Sequence, residues 1–259
     1  MRIAALIEYD GSRFSGWQRQ AGARSVQACV EEALSRVADA PVRVTVAGRT
    51  DAGVHATAQT VHFDTEARRP AHAWVRGANA HLPREVALLW AGEVADEFHA
   101  RYSATGRRYR YVILNRAVRP TYLAGRVTHV YRPLDEERMR AAAAHLVGEH
   151  DFTSFRSSEC EARSPVRELR ALEVARAGAL VTLEARANAF LHHMVRNLAG
   201  VLLEVGAGAR EPDWAREVLE ARDRRCGGVT APPDGLYLAG VEYPERFGIP
   251  PPPAPIVLV

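Results

Sequence analysis

The 259-residue sequence predicts an α+β fold with mainly antiparallel sheets, formed by two tandem ferredoxin-like units. Three observations support this prediction. Short runs in which apolar and polar residues alternate are typical of half-buried strands. Longer runs with apolar residues three and four positions apart are typical of amphipathic helices. In each half of the chain these runs follow a βαββαβ order, which is that of a ferredoxin-like unit with its helices packed on one side of the sheet.

Residues 1–100 form the predicted N-terminal half. The alternation in "RIAALIEY" predicts a first strand over 2–9. Ser25 is a suitable N-cap for a helix over 25–38, whose apolar residues recur at helical spacing. The remaining predicted elements of this half are strands at 42–46, 57–64 and 86–94 and a helix at 71–80.

Residues 101–245 form the predicted C-terminal half, with 95–106 as the crossover between the two. Its predicted elements are a strand at 107–114, an Ala-rich helix at 135–147, a hairpin around Gly178, a helix at 190–205, an inserted helix near 213–222 and a strand at 235–243. Residues 246–259 contain "IPPPPAPIVLV", and so many prolines exclude regular helix and central strand. We expect this segment to be an extended tail, free or packed on the surface.

Composition excludes several classes of protein. No run of about 18 apolar residues occurs, so no membrane span is expected, and the first residues lack the pattern of a signal peptide. Three widely spaced cysteines argue against a disulfide framework and against a zinc site. These features predict a cytoplasmic protein with a substantial core, since 47% of its residues are hydrophobic.

The basic residues favour an RNA partner through their arrangement more than their number. The net charge is only +3, and every basic residue other than histidine is an arginine, for which a GC-rich genome or thermal adaptation is the favoured explanation. However, Arg107, Arg108 and Arg110 alternate with Tyr109 and Tyr111 on one predicted strand. Interleaved basic and aromatic residues on a strand recur in RNA-binding surfaces.

The loop "VAGRTDAGVHA", residues 46–56, is the first candidate site. Gly48 and Gly53 bracket Arg49 and Asp51, and they would let the backbone approach a ligand closely. On residue types alone, a structural carboxylate in a turn is the more common role for such an aspartate. The alternative is chemistry, because a carboxylate kept ionised by a neighbouring arginine suits a nucleophile or a base.

The predicted helix 190–205 is the second candidate. It is apolar over more than half its circumference, and its polar stripe consists of His192, His193, Arg196, Asn197 and Gly200. Taken alone, the helix favours a stripe that faces solvent. The alternative gives Arg196 a carboxylate partner, because a buried unpaired arginine would be very costly.

The other catalytic patterns are absent from the sequence. The histidines, among them His55, His62 and His99, form neither an HExxH pair nor a finger-type set with cysteines, so no metal is expected. No phosphate-binding GxxxxGK[ST] or GxGxxG opens a helix, so no nucleotide cofactor is expected. No GxSxG nucleophile motif occurs either.

Six blocks of sequence match a known family in the right order. They are "YDGSRFSGWQRQ" at 9–20, "AGRTDAGVHA" at 47–56, "FHARYSATGRRYRYVILN" at 98–115, "GEHDFTSFRSS" at 148–158, "FLHHMVRNLAG" at 190–200 and "TAPPDGLYLAGVEY" at 230–243. Over nearly its whole length the chain resembles the TruA-type tRNA pseudouridine synthases. Only the Pro-rich tail lies outside the shared pattern.

The resemblance implies a function and a site. Asp51 matches the catalytic aspartate, Tyr109 the tyrosine that stacks on the target uracil and is proposed to assist proton removal at C5, and Arg196 the partner of the aspartate. Arg49 matches the arginine proposed to extrude the target nucleotide and fill its place. Further substrate-binding residues are expected at Thr50, His55, Arg107, Arg108, Arg110 and Leu236. The family acts on uridines 38, 39 and 40 of the anticodon stem-loop of tRNA, as a homodimer without cofactor or metal.

This expectation agrees with the residues. Isomerisation imports no group and oxidises nothing, so it needs no cofactor. The resemblance also supplies the carboxylate that Arg196 requires, which reverses the preference for a solvent-facing stripe. A site that draws Asp51 from one half and Tyr109 and Arg196 from the other would lie in a central RNA-binding cleft. Two alternatives stay open, a non-catalytic RNA-binding module and a metal-dependent hydrolase acting on RNA, the second disfavoured by the lack of ligand spacing.

Overall fold

The structure is a computed structural model in which residues 1–252 are described. Two compact units are present among the described residues, one formed by residues 1–106 and 237–252, the other by residues 107–236. Most strand pairs are antiparallel, which confirms the predicted α+β class. The tandem ferredoxin-like arrangement stays a prediction, as does the expected placing of the last strand in the C-terminal half. Among the described helices none has the length and apolar character to cross a bilayer.

The strands are β1 (Arg2–Tyr9), β2 (Thr45–Val46), β3 (His55–Asp64), β4 (Val86–Val94), β5 (Gly106–Asn115), β6 (Thr128–Val130), β7 (Gly148–Asp151), β8 (Val166–Ala177), β9 (Leu180–Ala187) and β10 (Leu236–Glu242). The helices are α1 (Val26–Ala38), α2 (Ala71–His81), α3 (Glu136–Ala144), α4 (Met194–Gly206) and α5 (Trp214–Ala221).

In the first unit the strands lie in the order β4-β1-β3-β10, with β2 also paired to β3. The chain returns to this unit at its end because β10 runs parallel to β3, with Tyr237 opposite His55. Helix α1 begins where predicted, since the Ser25 hydroxyl accepts a hydrogen bond from the backbone of Ala28. The ring of Trp74 on α2 packs edge-on against Phe63 of β3, at 5.2 Å between centroids, and joins the helices to the sheet.

In the second unit the order is β5-β9-β8-β7, with the short strand β6 parallel to β5. The core lies under the inward face of β5, where Tyr111 and Ile113 are fully buried. Helices α3 and α4 approach closely, because a Cβ on Gly206 would lie 2.7 Å from the Met139 side chain.

Three predicted elements differ from the structure. The strand expected at 42–46 pairs only at Thr45 and Val46, although Val42 and Val44 are buried. The helix expected at 190–205 begins only at Met194, because His193 adopts a left-handed conformation, with φ +61°, that a helix cannot continue. The helix expected at 135–147 ends at Ala144. Strands β6 and β7 were not predicted, and at three and four residues they are too short for a periodic signal.

Candidate active site

The loop that carries Asp51 connects β2 to β3. We call residues 47–54 the Asp51 loop. It is closed by a hydrogen bond from the Val54 N–H to the carbonyl of Asp51, at 3.2 Å, and Gly53 takes φ +79°, which favours glycine. Gly48 needs no such freedom, because its φ is ordinary and a Cβ there would have no atom within 4 Å. Of the two glycines, only Gly53 is required by the bend.

A second stretch of chain packs against this loop. We call residues 9–17 the cradle segment. The Trp17 N–H donates to the carbonyl of Thr50 at 3.0 Å, and the carbonyl of Phe14 accepts from the Gly53 N–H at 3.3 Å. A Cβ on Gly11 would lie 1.9 Å from the Val54 carbonyl oxygen, so the two main chains meet with no space for a side chain. The cradle segment therefore fixes the path of the backbone on both sides of Asp51.

A buried hydrogen-bond network links the side chains of the same region. The hydroxyls of Tyr9 and Thr50 are 2.8 Å apart, and the Gln59 amide donates to the carbonyl of Gly48 at 2.7 Å. Burial raises the pKa of Tyr9 to about 12, so its hydroxyl is neutral at physiological pH. The hydroxyl of Thr50 is thus engaged within the unit, and its predicted part in substrate binding stays a prediction.

His55 also has an internal environment. It is only 2% exposed, its ring stacks on Tyr237 at 4.6 Å, and its Nδ1 accepts from the Gly11 N–H at 3.1 Å. The same Nδ1 also lies 3.3 Å from the Asp10 carboxylate. A substrate contact by His55 stays a prediction.

Arg49 and Asp51 differ in exposure. The carboxylate of Asp51 is half-buried, whereas Arg49 is exposed. Among the described residues Arg49 makes no hydrogen bond and no ion pair, so its guanidinium is open to solvent. An arginine in this state is available to the phosphates or bases of a ligand.

Tyr109 lies on β5 of the second unit. It stands opposite Ala185 of β9, and its half-buried ring packs edge-on against Phe190 with 5.1 Å between centroids. Alternation along the strand places Arg107 on the same face, where its guanidinium donates to the carbonyl of Asn188 at 3.0 Å. Phe190 thus contacts the tyrosine ring at nearly a right angle, an arrangement that aromatic pairs prefer.

Arg108 and Arg110 lie on the opposite face of β5 from Tyr109. Both bind Glu184, Arg110 at 2.6 Å and Arg108 at 3.7 Å, because Arg110 and Glu184 are directly opposed in the antiparallel ladder. The interleaved pattern thus divides between two faces of the sheet. The predicted contacts of these two arginines with substrate would have to compete with Glu184.

The residues before α4 are not helical. His192 and His193 do not point apart as they would on a helix, and their rings lie 4.1 Å apart. The left-handed His193 ends the preceding turn, and its carbonyl accepts the first helical hydrogen bond, from Asn197.

Another segment of the chain packs over the polar residues Arg196 and Asn197 and over Gly200 of α4. We call residues 228–231 the cover segment. Its Ala231 exchanges two hydrogen bonds with Arg196, from Arg196 Nε at 2.8 Å and back to the Arg196 carbonyl at 3.1 Å. A Cβ on Gly200 would lie 2.0 Å from the carbonyl oxygen of Val229. Asn197, which is 2% exposed, accepts from Thr230 at 2.7 Å and donates to the Phe155 carbonyl at 2.7 Å.

Arg196 also influences a buried tyrosine in its own unit. Burial raises the pKa of Tyr111, and the Thr128 hydroxyl and the positive charge of Arg196 offset part of that rise. Leu236 is buried at the start of β10, where its N–H donates to the carbonyl of Pro233. Its predicted contact with substrate stays a prediction, as does the pairing of Arg196 with Asp51.

Several residues that shape the site have no role predicted from the sequence. The cradle segment is part of the sequence block at 9–20. Its two glycines, Gly11 and Gly16, are the one sequence signal that two main chains could approach each other there. The periodic pattern places Phe190 and Asn197 on one helix, which hides their separate contacts.

Comparison with known proteins places the chain in a family. A sequence model of the family described as tRNA pseudouridine synthase matches residues 5–103 and 142–244. The chain belongs to the tRNA pseudouridine synthase family. The prediction of an isomerase of this family is therefore confirmed. The first match includes the Asp51 loop and the second includes α4, whereas Tyr109 lies between the two matched stretches.

Relatives of this pseudouridine synthase family are similar over almost their whole length. The tRNA pseudouridine synthase A of Methylococcus capsulatus is 61% identical over 96% of this chain and 92% of its own. The enzymes of that name from Nitrosococcus oceani and Pseudomonas aeruginosa are each 59% identical over 96% of this chain, and over 96% and 88% of their own lengths. A solved structure of a Cbf5-Nop10-Gar1 complex is similar at a TM-score of 0.34 and 11% identity, over 77% of this chain and 54% of that one, which supports no further conclusion.

Proposed function

We propose that this protein isomerises uridine to pseudouridine at positions 38, 39 and 40 in the anticodon stem-loop of tRNA, with Asp51 as nucleophile or base. The observation that carries the proposal is the Asp51 loop, whose sequence matches the family and whose backbone is fixed by the cradle segment while Asp51 stays half-exposed. A fixed backbone with an accessible carboxylate suits attack on a bound nucleotide.

The chemistry assigns a task to each residue. The N1–C1′ bond breaks, a C5–C1′ bond forms, C5 loses a proton and N1 gains one. Asp51 attacks C6 of the ring or C1′ of the sugar, or removes the C2′ proton, and these routes stay open. Tyr109 stacks on the uracil and assists proton removal at C5. Arg196 is the positively charged partner of the Asp51 carboxylate.

Access to the uracil requires that the nucleotide leave its stack, at a cost of a few kcal/mol. Stacking on an aromatic side chain returns about 1–3 kcal/mol per base, which is the part we assign to Tyr109. The exposed Arg49 fills the vacated place in the RNA. The absence of any hydrogen bond or ion pair from Arg49 in the described part of the chain supports this role.

The proposed site draws residues from both units, and we propose further that the protein works as a homodimer in the cytoplasm. The support for these statements is the resemblance to the family. Size-exclusion chromatography with light scattering checks the oligomeric state directly.

The test is to map pseudouridine in a tRNA transcript with uridines at 38–40, incubated with and without the protein. We expect conversion at those positions with the wild type and none with Asp51→Asn, while the tRNA affinity of the variant is retained. Asp39→Asn is the matched control, because Asp39 is an exposed C-cap in a left-handed conformation that asparagine also adopts. Full activity of Asp51→Asn would exclude Asp51 as the reacting group, and tRNA binding without conversion by the wild type would favour a binding module.

A further inference from the structure

An exposed surface of the second unit has no role in the reaction described above. We call residues 116–132 the basic segment. Its sequence, "RAVRPTYLAGRVTHVYR", contains four arginines and one histidine and no acidic residue. It lies between the two stretches that match the family.

The basic segment is a folded surface with large aromatic side chains on it. The Nε2 atom of His129 is 2.8 Å from the carbonyl of Arg116, which joins the end of β5 to β6. The guanidinium of Arg116 donates to the carbonyl of Val118 at 2.8 Å, so the turn between them is ordered. Two tyrosines are unusually exposed for such large side chains, Tyr122 at 73% and Tyr131 at 64%.

The arginines of the segment differ in how far other groups of the protein already bind them. Arg132 is hydrogen-bonded to the Tyr131 hydroxyl, which raises the pKa of Arg132, and Glu204 of α4 adds to that rise. Arg126 donates to the carbonyl of Tyr122 and has further contacts. Arg116 and Arg119 are exposed, and the side chain of Arg116 donates to main-chain carbonyls. These two arginines carry the charge on which the inference depends.

The side chains of this surface suit a polyanion that carries unpaired bases. Arginines match phosphate oxygens, and exposed tyrosines stack on unpaired bases. A second copy of this chain is a poorer partner, because a two-fold axis through the surface would place the same positive charges opposite each other. The segment begins at the end of β5, roughly 20 Å along the strand from Tyr109 at about 3.3 Å per residue, so it would meet RNA well away from the reacting nucleotide.

We propose that the basic segment is a second RNA-contact surface, which binds phosphates and unpaired bases of the substrate tRNA outside the anticodon loop. This proposal rests on the proposed function only for the identity of the RNA. It predicts that a whole tRNA gains affinity from the segment and that a short hairpin of the anticodon loop does not.

The test uses the full chain with Arg116→Gln and Arg119→Gln combined. At about 0.1 M salt we expect binding of whole tRNA to weaken about tenfold, and the slope of log affinity against log salt to fall by about 1 for each phosphate that is no longer bound. Binding of the short hairpin and the rate at saturating tRNA should be unchanged. Tyr122→Ala should weaken binding of whole tRNA about fivefold or more without changing the salt slope.

The matched control combines Arg36→Gln with Arg216→Gln, which removes the same charge from two exposed arginines that pair with Glu32 and Asp213. Equal loss of affinity in both double variants, or none in either, would overturn the proposal. So would a change of oligomeric state, measured by sedimentation velocity, with tRNA affinity intact. If the wild type forms no pseudouridine while the segment variant alone loses tRNA affinity, the proposed function fails and the contact stands. If the wild type is active and the segment variant binds tRNA normally, only the contact fails.

Discussion

The Asp51 loop of the first unit and helix α4 of the second are covered in the same way. In each, an extended segment approaches so closely that only glycine fits at the contact. A Cβ on Gly11 would lie 1.9 Å from the carbonyl oxygen of Val54, and one on Gly200 would lie 2.0 Å from that of Val229. Both sites therefore depend on main-chain packing that side-chain periodicity does not reveal.

The two regions differ in what the covering segment holds. The cradle segment binds the backbone on either side of Asp51, through the carbonyl of Thr50 and the N–H of Gly53. The cover segment instead holds the side chain of Arg196, whose Nε donates to the carbonyl of Ala231 at 2.8 Å. Asp51 is thus positioned through the path of its loop, whereas Arg196 is positioned through its guanidinium.

The largest effect on stability should come from adding a Cβ at the two close main-chain contacts. Gly11→Ala and Gly200→Ala each force a main-chain shift, and we expect each to lower the free energy of unfolding by about 2–4 kcal/mol. Urea unfolding followed by circular dichroism measures this loss. If the comparison holds, the two variants lose similar stability.

Gly48→Ala is the control for this pair. A Cβ on Gly48 has no atom within 4 Å and the backbone there is ordinary, so stability should be unchanged or slightly higher. A Gly11→Ala protein as stable as Gly48→Ala would show that the cradle segment moves freely, and the proposed fixing of the Asp51 loop would be wrong.

These glycines also show how much of the fold the sequence predicts. The strand at 86–94 is found at its predicted bounds, and the helix predicted at 25–38 is found at Val26–Ala38, where the buried residues recur at helical spacing. The loop sequence predicts that both Gly48 and Gly53 allow the backbone to bend or to approach a ligand closely. In the structure only Gly53 adopts a positive φ, which favours glycine. A contact between segments about 40 residues apart leaves no periodic signal in the sequence.

The local structure of the candidate site is predicted less well where a sequence pattern averages over several residues. The alternation of "RRYRY" correctly predicts a strand, but it groups the arginines as one surface, whereas Arg108 and Arg110 face Glu184. Helical spacing extends α4 back to Phe190 because apolar residues continue there. The left-handed His193 overrides that spacing. Histidine is enriched in this conformation, but few histidines adopt it, so the residue type alone does not mark the break.

Removal of one buried tyrosine hydroxyl from each region should have a smaller effect on stability, and it should change the reaction rate in one region more than in the other. Tyr9 and Tyr111 are both buried, and each hydroxyl meets a threonine, Thr50 at 2.8 Å and Thr128 at 2.6 Å. Removal of either hydroxyl should cost about 1–2 kcal/mol of stability, since one buried partner is left without its bond. Only Tyr9→Phe disturbs the Asp51 loop directly, so its single-turnover rate at saturating tRNA should fall several-fold with tRNA affinity unchanged.

Tyr111→Phe is the comparison for that measurement. It should match Tyr9→Phe in urea midpoint, and its rate should change less, because its hydroxyl bonds lie on Thr128 and Pro232. Equal rates for Tyr9→Phe and wild type would mean that the buried hydroxyl pair stabilises the first unit without positioning Asp51.

The smallest expected effect is a loss of folding stability at low pH, and it should occur in the first unit. His62 on β3 is 5% exposed, and its Nδ1 accepts from the Ala100 N–H at 3.1 Å, which requires a neutral ring. Burial lowers the pKa of His62 from 6.5 to about 4, with the charge of Arg2 adding to the effect. As the pH falls below 6.5 the unfolded chain takes up this proton before the folded one does, so stability is complete above that pH and is lost progressively down to about 4.

We expect a loss of about 1 kcal/mol between pH 7 and pH 5.5 from this group, read from urea midpoints at the two pH values. His62→Asn removes the titration and offers its Oδ1 to the Ala100 N–H, so its midpoint should depend less on pH than that of the wild type. Hydrogen exchange corrected for intrinsic rates should place the wild-type loss on β1 and β3, because these strands pair through Ala4 and His62. Loss that began in α4 instead would mean that the second unit is the more acid-sensitive of the two, contrary to the burial of His62 in the first.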